Sequence, residues 1–246
     1  MIVSHSLRVI FLKTRKTAGS SFELALRTFC ADEDEFFSLS NERGLEEKLG
    51  LSHESNILQR NLGAKRRFLS RGLYQHATAL QVYNFVGSEI WNNYSKVSVH
   101  RKPIDLLVSA YFYLNQGNAY RPSFSRWIED NYRAIIIGNH AIAPKAGPLA
   151  LDHLLAYESL ERDIERTECL PSGFLNRFQS IGAKSSFRPQ KSSKAIDFMR
   201  QNGVGRGTIE KIEDLDYNLG KNPLVGSKIP LFAAYNSFLH RRRHKA

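Results

Sequence analysis

The sequence predicts a three-layer α/β fold with a mostly parallel central sheet flanked by helices. Three observations predict it. Short apolar runs such as Val9-Ile10-Phe11-Leu12 end in polar loops, as strands buried on both faces do. Apolar residues at helical spacing follow these runs. The coarse order is strand, loop, helix, helix, strand, helix, an intervening stretch, strand and helices, the alternation that builds βαβ units.

The elements follow in chain order. Val9 to Leu12 is the first buried strand. A polar loop with one glycine covers 13–21, and Phe22, Ala25, Leu26 and Phe29 then fall at i, i+3, i+4, i+7, a helical face. Residues 32–72 are polar and open with Asp32-Glu33-Asp34-Glu35, which predicts helical turns and loops. A helix is expected over 77–86, ending near Gly87. Lys96-Val97-Ser98-Val99-His100 alternates as a strand does. Pro103 suits the first turn of a helix, and Ile104, Leu107, Val108 and Tyr111 continue one face. Residues 116–147 are rich in Asn, Gly, Pro and aromatics and read as a loop-and-helix insertion, a natural place for ligand recognition. Leu151 to Tyr157 is another buried strand, and helices are expected over 159–166, 172–180 and 206–219. The residues from His240 are basic and read as a frayed end. No repeat is visible, and residues 1–246 are expected to form a single domain with that insertion.

Composition bounds the partners. Hydrophobic residues make up 42% and charged residues 24%, so the bulk of the chain is globular rather than disordered. Lys and Arg number 35 against 24 Asp and Glu, a net charge of +11. Such a balance points to anionic partners: nucleotide, nucleic acid, phosphate, acidic glycan or membrane surface. Two small clusters, Lys65-Arg66-Arg67 and Arg241-Arg242-Arg243, read as solvated faces. Only Cys30 and Cys169 are present and no Cys-x-x-Cys occurs, which argues against a zinc site and a disulfide framework. No run of about 18 apolar residues exists, so no membrane span is expected. The first apolar run is short and meets Lys13-Thr14-Arg15-Lys16 at once, unlike a signal peptide; a cytoplasmic protein is expected.

Two segments carry chemistry. The first is Lys13-Thr14-Arg15-Lys16-Thr17-Ala18-Gly19-Ser20-Ser21, between strand and helix. Backbone N–H groups and the helix dipole make a helix N-terminus an anion site. Gly19 permits close backbone approach. It is not a Walker A loop, because its lysines precede its only glycine, and no Gly-x-Gly-x-x-Gly is present. The second is His100-Arg101-Lys102-Pro103-Ile104-Asp105, running into a helix with Ser109 and Tyr111. Arg101 leaves a strand end and Ser109 lies two turns on, so an arginine fork and a hydroxyl can share one phosphate. Two anion sites on separate strand ends, at the carboxyl edge of an open sheet, suit a nucleotide whose anionic groups are also separate.

These segments resemble the sulfotransferases that use 3′-phosphoadenosine-5′-phosphosulfate (PAPS). Phe11 to Ser21 is similar to the 5′-phosphosulfate loop of the carbohydrate branch of that family, of the heparan-sulfate 2-O-like kind, which commonly reads Pro-Lys-Thr-Ala-Gly-Thr-Ser. Val99 to Tyr111 resembles the family's 3′-phosphate motif, Arg-Asn-Pro-x-Asp-x-x-x-Ser-x-Tyr, and Tyr157-Glu158-Ser159-Leu160 its downstream Tyr-Glu-Asn-Leu strand end. The matches are in family order, with Arg15 in place of Pro and Lys102 in place of Asn.

The resemblance implies a P-loop-like sheet and sulfuryl transfer from PAPS to an acceptor hydroxyl on a glycan or small-molecule alcohol, with PAP as the product and no metal. It implies that Lys16 holds the 5′-phosphosulfate and its bridging oxygen. Lys13, Arg15, Thr17, Ala18, Gly19, Ser20 and Ser21 complete that loop, and Arg101 and Ser109 hold the 3′-phosphate. Arg188, in Lys184-Ser185-Ser186-Phe187-Arg188-Pro189, is a further candidate for that phosphate. His76, just before a helix, is the candidate base, since a neutral imidazole suits that work near pH 7. Glu158 is a second candidate base or a structural carboxylate. His53, His100 and His140 are weaker. The rival readings are a P-loop-type kinase or NTPase, which lacks the Gly-Lys-Ser/Thr order here, and a basic nucleic-acid-binding module, for which no motif is present; no nucleic acid is expected as partner.

Overall fold

The computed structural model describes residues 1–36, 43–51, 75–115, 122–181 and 194–225. Five strands form one open sheet: β1 (Ile2–Ser4), β2 (Val9–Leu12), β3 (Glu35–Phe36), β4 (Ser95–His100) and β5 (His153–Ala156), in the spatial order β3-β1-β2-β4-β5. β2, β4 and β5 run parallel, while β1 and β3 add an antiparallel edge that the sequence reading did not include. Ile2 to Ser4 is a three-residue strand beside a polar turn, too short for its period to show.

The sheet is buried on both faces because each strand alternates between two helical layers. Val9, Phe11, Val97, Val99 and Leu155 point one way, onto α1 (Gly19–Arg27), α6 (Leu160–Glu165) and α7 (Phe174–Ser180). Phe11 stacks on Phe22 with centroids 4.4 Å apart, a geometry that adds about 0.5–1.5 kcal/mol beyond burial. Val3, Ile10 and Leu12 point the other way, onto α3 (Ala79–Asn93) and onto Ile142 and Leu149. A third cluster joins α4 (Pro103–Leu114), α5 (Phe124–Ile142), α8 (Ala195–Gln201) and α9 (Arg206–Lys221). A short α2 (Arg43–Lys48) completes the described helices.

The helix expected to end near Gly87 does break there, with φ of 81° and ψ of 167°, and a second helical stretch, which the sequence reading did not include, carries α3 on to Asn93. The helix expected within 116–147 is α5, 19 residues long with eleven of them buried, and its apolar face from Phe124 to Ile136 joins the third core cluster; 116–121 lie outside the described residues. Among the described residues, no helix is long and apolar enough to cross a membrane.

Candidate functional site: three strand ends at one sheet edge

The parallel register aligns the strand ends. Leu12 pairs with Ser98 and His100 with Ala156, so 13–18, Arg101-Lys102 and Tyr157-Glu158 all leave the sheet at its carboxyl edge. The structure therefore brings together the three segments singled out in the sequence.

The 13–18 loop is pinned from several directions. Thr14 Oγ1 donates to the carbonyl of Val99 at 2.5 Å and meets Thr17 Oγ1 at 2.8 Å, tying the loop to β4. Arg15 stands where the resembling loop has proline. Its backbone N–H, which proline lacks, donates to Asn139 Oδ1 at 2.9 Å, and Asn139 Nδ2 donates to the Arg15 carbonyl at 3.0 Å. Lys16 and Ala18 both take left-handed backbone, with φ of 59° and 58°. Turns with such residues aim successive N–H groups into a concavity, the kind that takes anions. Ala18 is also the N-cap of α1 and makes no side-chain cap bond. A Cβ on Gly19 would stand 2.8 Å from Lys13 Cγ, so only glycine fits there without moving that buried side chain.

The two lysines of the loop play different parts. Lys13 is 4% exposed and its ammonium donates to Glu23 Oε2 at 2.5 Å, inside α1 rather than at the sheet edge. The Met1 amino group donates to the other oxygen of Glu23 at 2.6 Å. Burial works against a charged Glu23, but Lys13 and that amine outweigh it and hold the carboxyl below its ordinary range. Lys16 is half-buried, with its ammonium 3.8 Å from the centroid of the Tyr113 ring. This cation–π contact holds the ammonium beside the ring.

Arg101 joins the two anion segments. It is 8% exposed, donates through Nη1 to the carbonyl of Lys16 at 2.9 Å, and lies 4.1 Å from the centroid of the Tyr157 ring. The next residue, Lys102, donates its backbone N–H to Glu158 Oε1 at 2.9 Å. Glu158 thus braces the β4 end through one of its two carboxylate oxygens. Ser109 is half-buried on α4, the helix that starts immediately after Arg101-Lys102. Thr17, Ser20 and Ser21 are buried in the loop and the first turn of α1. Arg188, His53 and both basic tripeptide clusters lie outside the described residues.

His76 stands at the same edge, two residues before Thr78, which caps α3 with a reciprocal bond to Gln81. Its Nδ1 lies 2.8 Å from the carbonyl oxygen of Lys13. A carbonyl only accepts, so Nδ1 carries the hydrogen and Nε2 keeps its lone pair. Burial, then the charges of Arg15 and Lys13, hold the imidazole well below the usual histidine range, so it is neutral at pH 7.

His100 belongs to a separate cluster. Its Nε2 accepts from Lys145 Nζ at 3.0 Å, while Asp216 Oδ1 accepts from His140 Nε2 at 2.8 Å. Asp216 Oδ2 lies 3.7 Å from both His100 and Lys145. Burial first and the Lys145 ammonium second push His100 down to about 4, against the opposing pull of Asp216 and Glu158. The unfolded chain therefore binds a proton at His100 that the folded chain does not, between pH 6.5 and about 4. Stability falls across that window as pH drops, by roughly 3 kcal/mol from this residue once pH 4 is reached. His76 acts in the same direction. We expect the urea midpoint of the wild type to decline from pH 7 to pH 4.5, and that of His100→Gln to decline less steeply. Equal slopes would show that His100 does not carry the effect.

Among the described residues, no group of three or more His, Cys, Asp or Glu side chains is arranged to hold a metal ion. No family model, curated protein or solved structure matches this chain.

Proposed function

We propose that the chain is a PAPS-dependent sulfotransferase with a P-loop-like nucleotide site, acting on an acceptor hydroxyl of a glycan or small metabolite. The single observation that carries the reading is the junction at the sheet edge. The loop after β2 and the strand end of β4 are adjacent, and Arg101 bonds the Lys16 carbonyl. One nucleotide bearing a 5′-phosphosulfate and a 3′-phosphate fits such paired sites; a linear triphosphate needs only one.

The residues present fit the donor set that such a ligand needs. The left-handed turns at Lys16 and Ala18 and the N-terminus of α1 suit the 5′ group, and the Arg101 guanidinium suits the 3′-phosphate. In the transfer, the bond between sulfur and the bridging oxygen breaks and a bond to the acceptor oxygen forms. The acceptor proton passes to His76 Nε2. Lys16 offsets the charge left on the phosphate oxygen as PAP departs. As in phosphoryl transfer, positioning and electrostatics do most of this work.

Thermal unfolding with PAP, AMP or ATP·Mg tests the reading. A ligand that binds only the folded state raises apparent stability as ln(1 + [L]/Kd). PAP is expected to raise Tm at concentrations where AMP and ATP·Mg do little. Stabilisation by ATP·Mg without PAP would replace the sulfotransferase with a kinase or NTPase. Salt-sensitive affinity for nucleic acid without nucleotide selectivity would replace it with a binding module.

A further inference from the structure

We infer that Asn139 is a positioning residue for the 5′ half of the nucleotide site, an inference that rests on the sulfotransferase reading. Asn139 lies near the end of α5, is 7% exposed, and is 124 residues from the loop it holds. Its side-chain amide makes both hydrogen bonds of a strand partner with one residue: Oδ1 takes the Arg15 N–H at 2.9 Å and Nδ2 gives to the Arg15 carbonyl at 3.0 Å. This pairing fixes the orientation of the amide, because the reversed one would set oxygen against oxygen and N–H against N–H.

The position matters more than the strength. Lys16 follows Arg15 directly and has φ of 59°, a conformation that a residue with a Cβ keeps only when its surroundings impose it. The peptide before Lys16 is held by Asn139 through the Arg15 carbonyl, and the peptide after it by Arg101 through the Lys16 carbonyl. Lys16 is thus clamped on both sides. With one clamp gone, the residue can relax towards negative φ, which swings the loop N–H groups and the Lys16 side chain away from the phosphosulfate position. Asn139 touches no ligand in this arrangement; it acts through the backbone of Arg15.

A positioning role makes a selective prediction that a general loss of stability does not. Dissociation constants for PAP, 5′-AMP and 3′-AMP are measured with wild type, Asn139→Ala and Asn139→Asp, at a temperature where each protein is folded. In Asn139→Ala, affinity for PAP and 5′-AMP is expected to fall about tenfold, while affinity for 3′-AMP stays within about twofold. Asn139→Asp keeps an acceptor for the Arg15 N–H but sets a carboxylate oxygen against the Arg15 carbonyl and adds negative charge beside the anion site. Its loss for PAP and 5′-AMP is expected to be larger, again sparing 3′-AMP. If Asn139→Ala does not fold, the Asp variant alone decides, by the same contrast between ligands. Equal losses for 5′-AMP and 3′-AMP, or none for either, would overturn the positioning role while leaving the sulfotransferase reading intact. Failure of the wild type to bind PAP would remove both.

Discussion

Replacing Glu23 by alanine is expected to destabilise the fold by about 3–5 kcal/mol, the usual cost of stranding one charge of a buried pair. The Lys13 ammonium is 4% exposed, donates to Glu23 at 2.5 Å, and would be left in the interior beside the Met1 amine. For a chain of this length such a loss lowers Tm by roughly 10 °C. Urea denaturation of wild type, Glu23→Ala and the pair Lys13→Met/Glu23→Leu measures it. The double variant removes the stranded Lys13 charge but leaves the Met1 amine without its acceptor, so it should recover only part of the loss. A Glu23→Ala effect below about 1 kcal/mol would mean that water reaches the pair in solution.

The second large effect is expected at Arg101. Its guanidinium sits over the Tyr157 ring, 4.1 Å from the centroid, and already gives one N–H to the Lys16 carbonyl, so its planar fork is oriented before any ligand arrives. Arg101→Ala is expected to weaken PAP about 100-fold, equivalent to about 2.7 kcal/mol, and AMP only a few-fold through the lost bond to Lys16. Arg101→Lys keeps the charge but loses the fork and the stacking, and should still bind PAP about tenfold more weakly than the wild type. Calorimetric titration of both ligands reads the result. Equal weakening of PAP and AMP would mean that Arg101 serves only the loop and not a 3′-phosphate.

The parts of this fold that were legible share a physical cause. β2, β4 and α9 each have a strong local pattern: an unbroken apolar run, a two-residue alternation, and a helical stripe through Ile209 and Ile212. Pro103 marked the start of α4 because proline costs nothing where the helix has no use for its N–H. β1 and β3 have three and two residues, too few to show a period, and exist because each finds a neighbour in the sheet. Gly87 carried a stop signal, but the helix resumes beyond it where Trp91 is buried against the sheet.

The candidate site divides in the same way. Lys16, Arg101 and His76 were legible because their chemistry is local: a cation in a strand-to-helix loop, an arginine at a strand end, a histidine before a helix cap. Lys13 was read as part of the same anion loop, and only tertiary packing shows that its charge meets Glu23. Tyr157 was visible as a strand end, but its cation–π contact with Arg101 was not. Asn139 gave no signal, because a single asparagine in a helix acquires meaning only from the loop that packs on it, 124 residues away.

That distance has a consequence for how the molecule comes into being. The 13–18 loop takes its shape from Val99, Arg101 and Asn139, separated from it by 85 to 124 residues. None of these partners is in place until β4 has paired with β2 and α5 has packed. The loop therefore acquires its form only once a helix 124 residues further along the chain has packed against it. A nascent chain stopped before α5 would carry every residue of the loop and still lack the Asn139 contacts that help shape it. Under the proposed function, binding competence would then report that α5 has docked, and ligand would stabilise only chains that have passed that point.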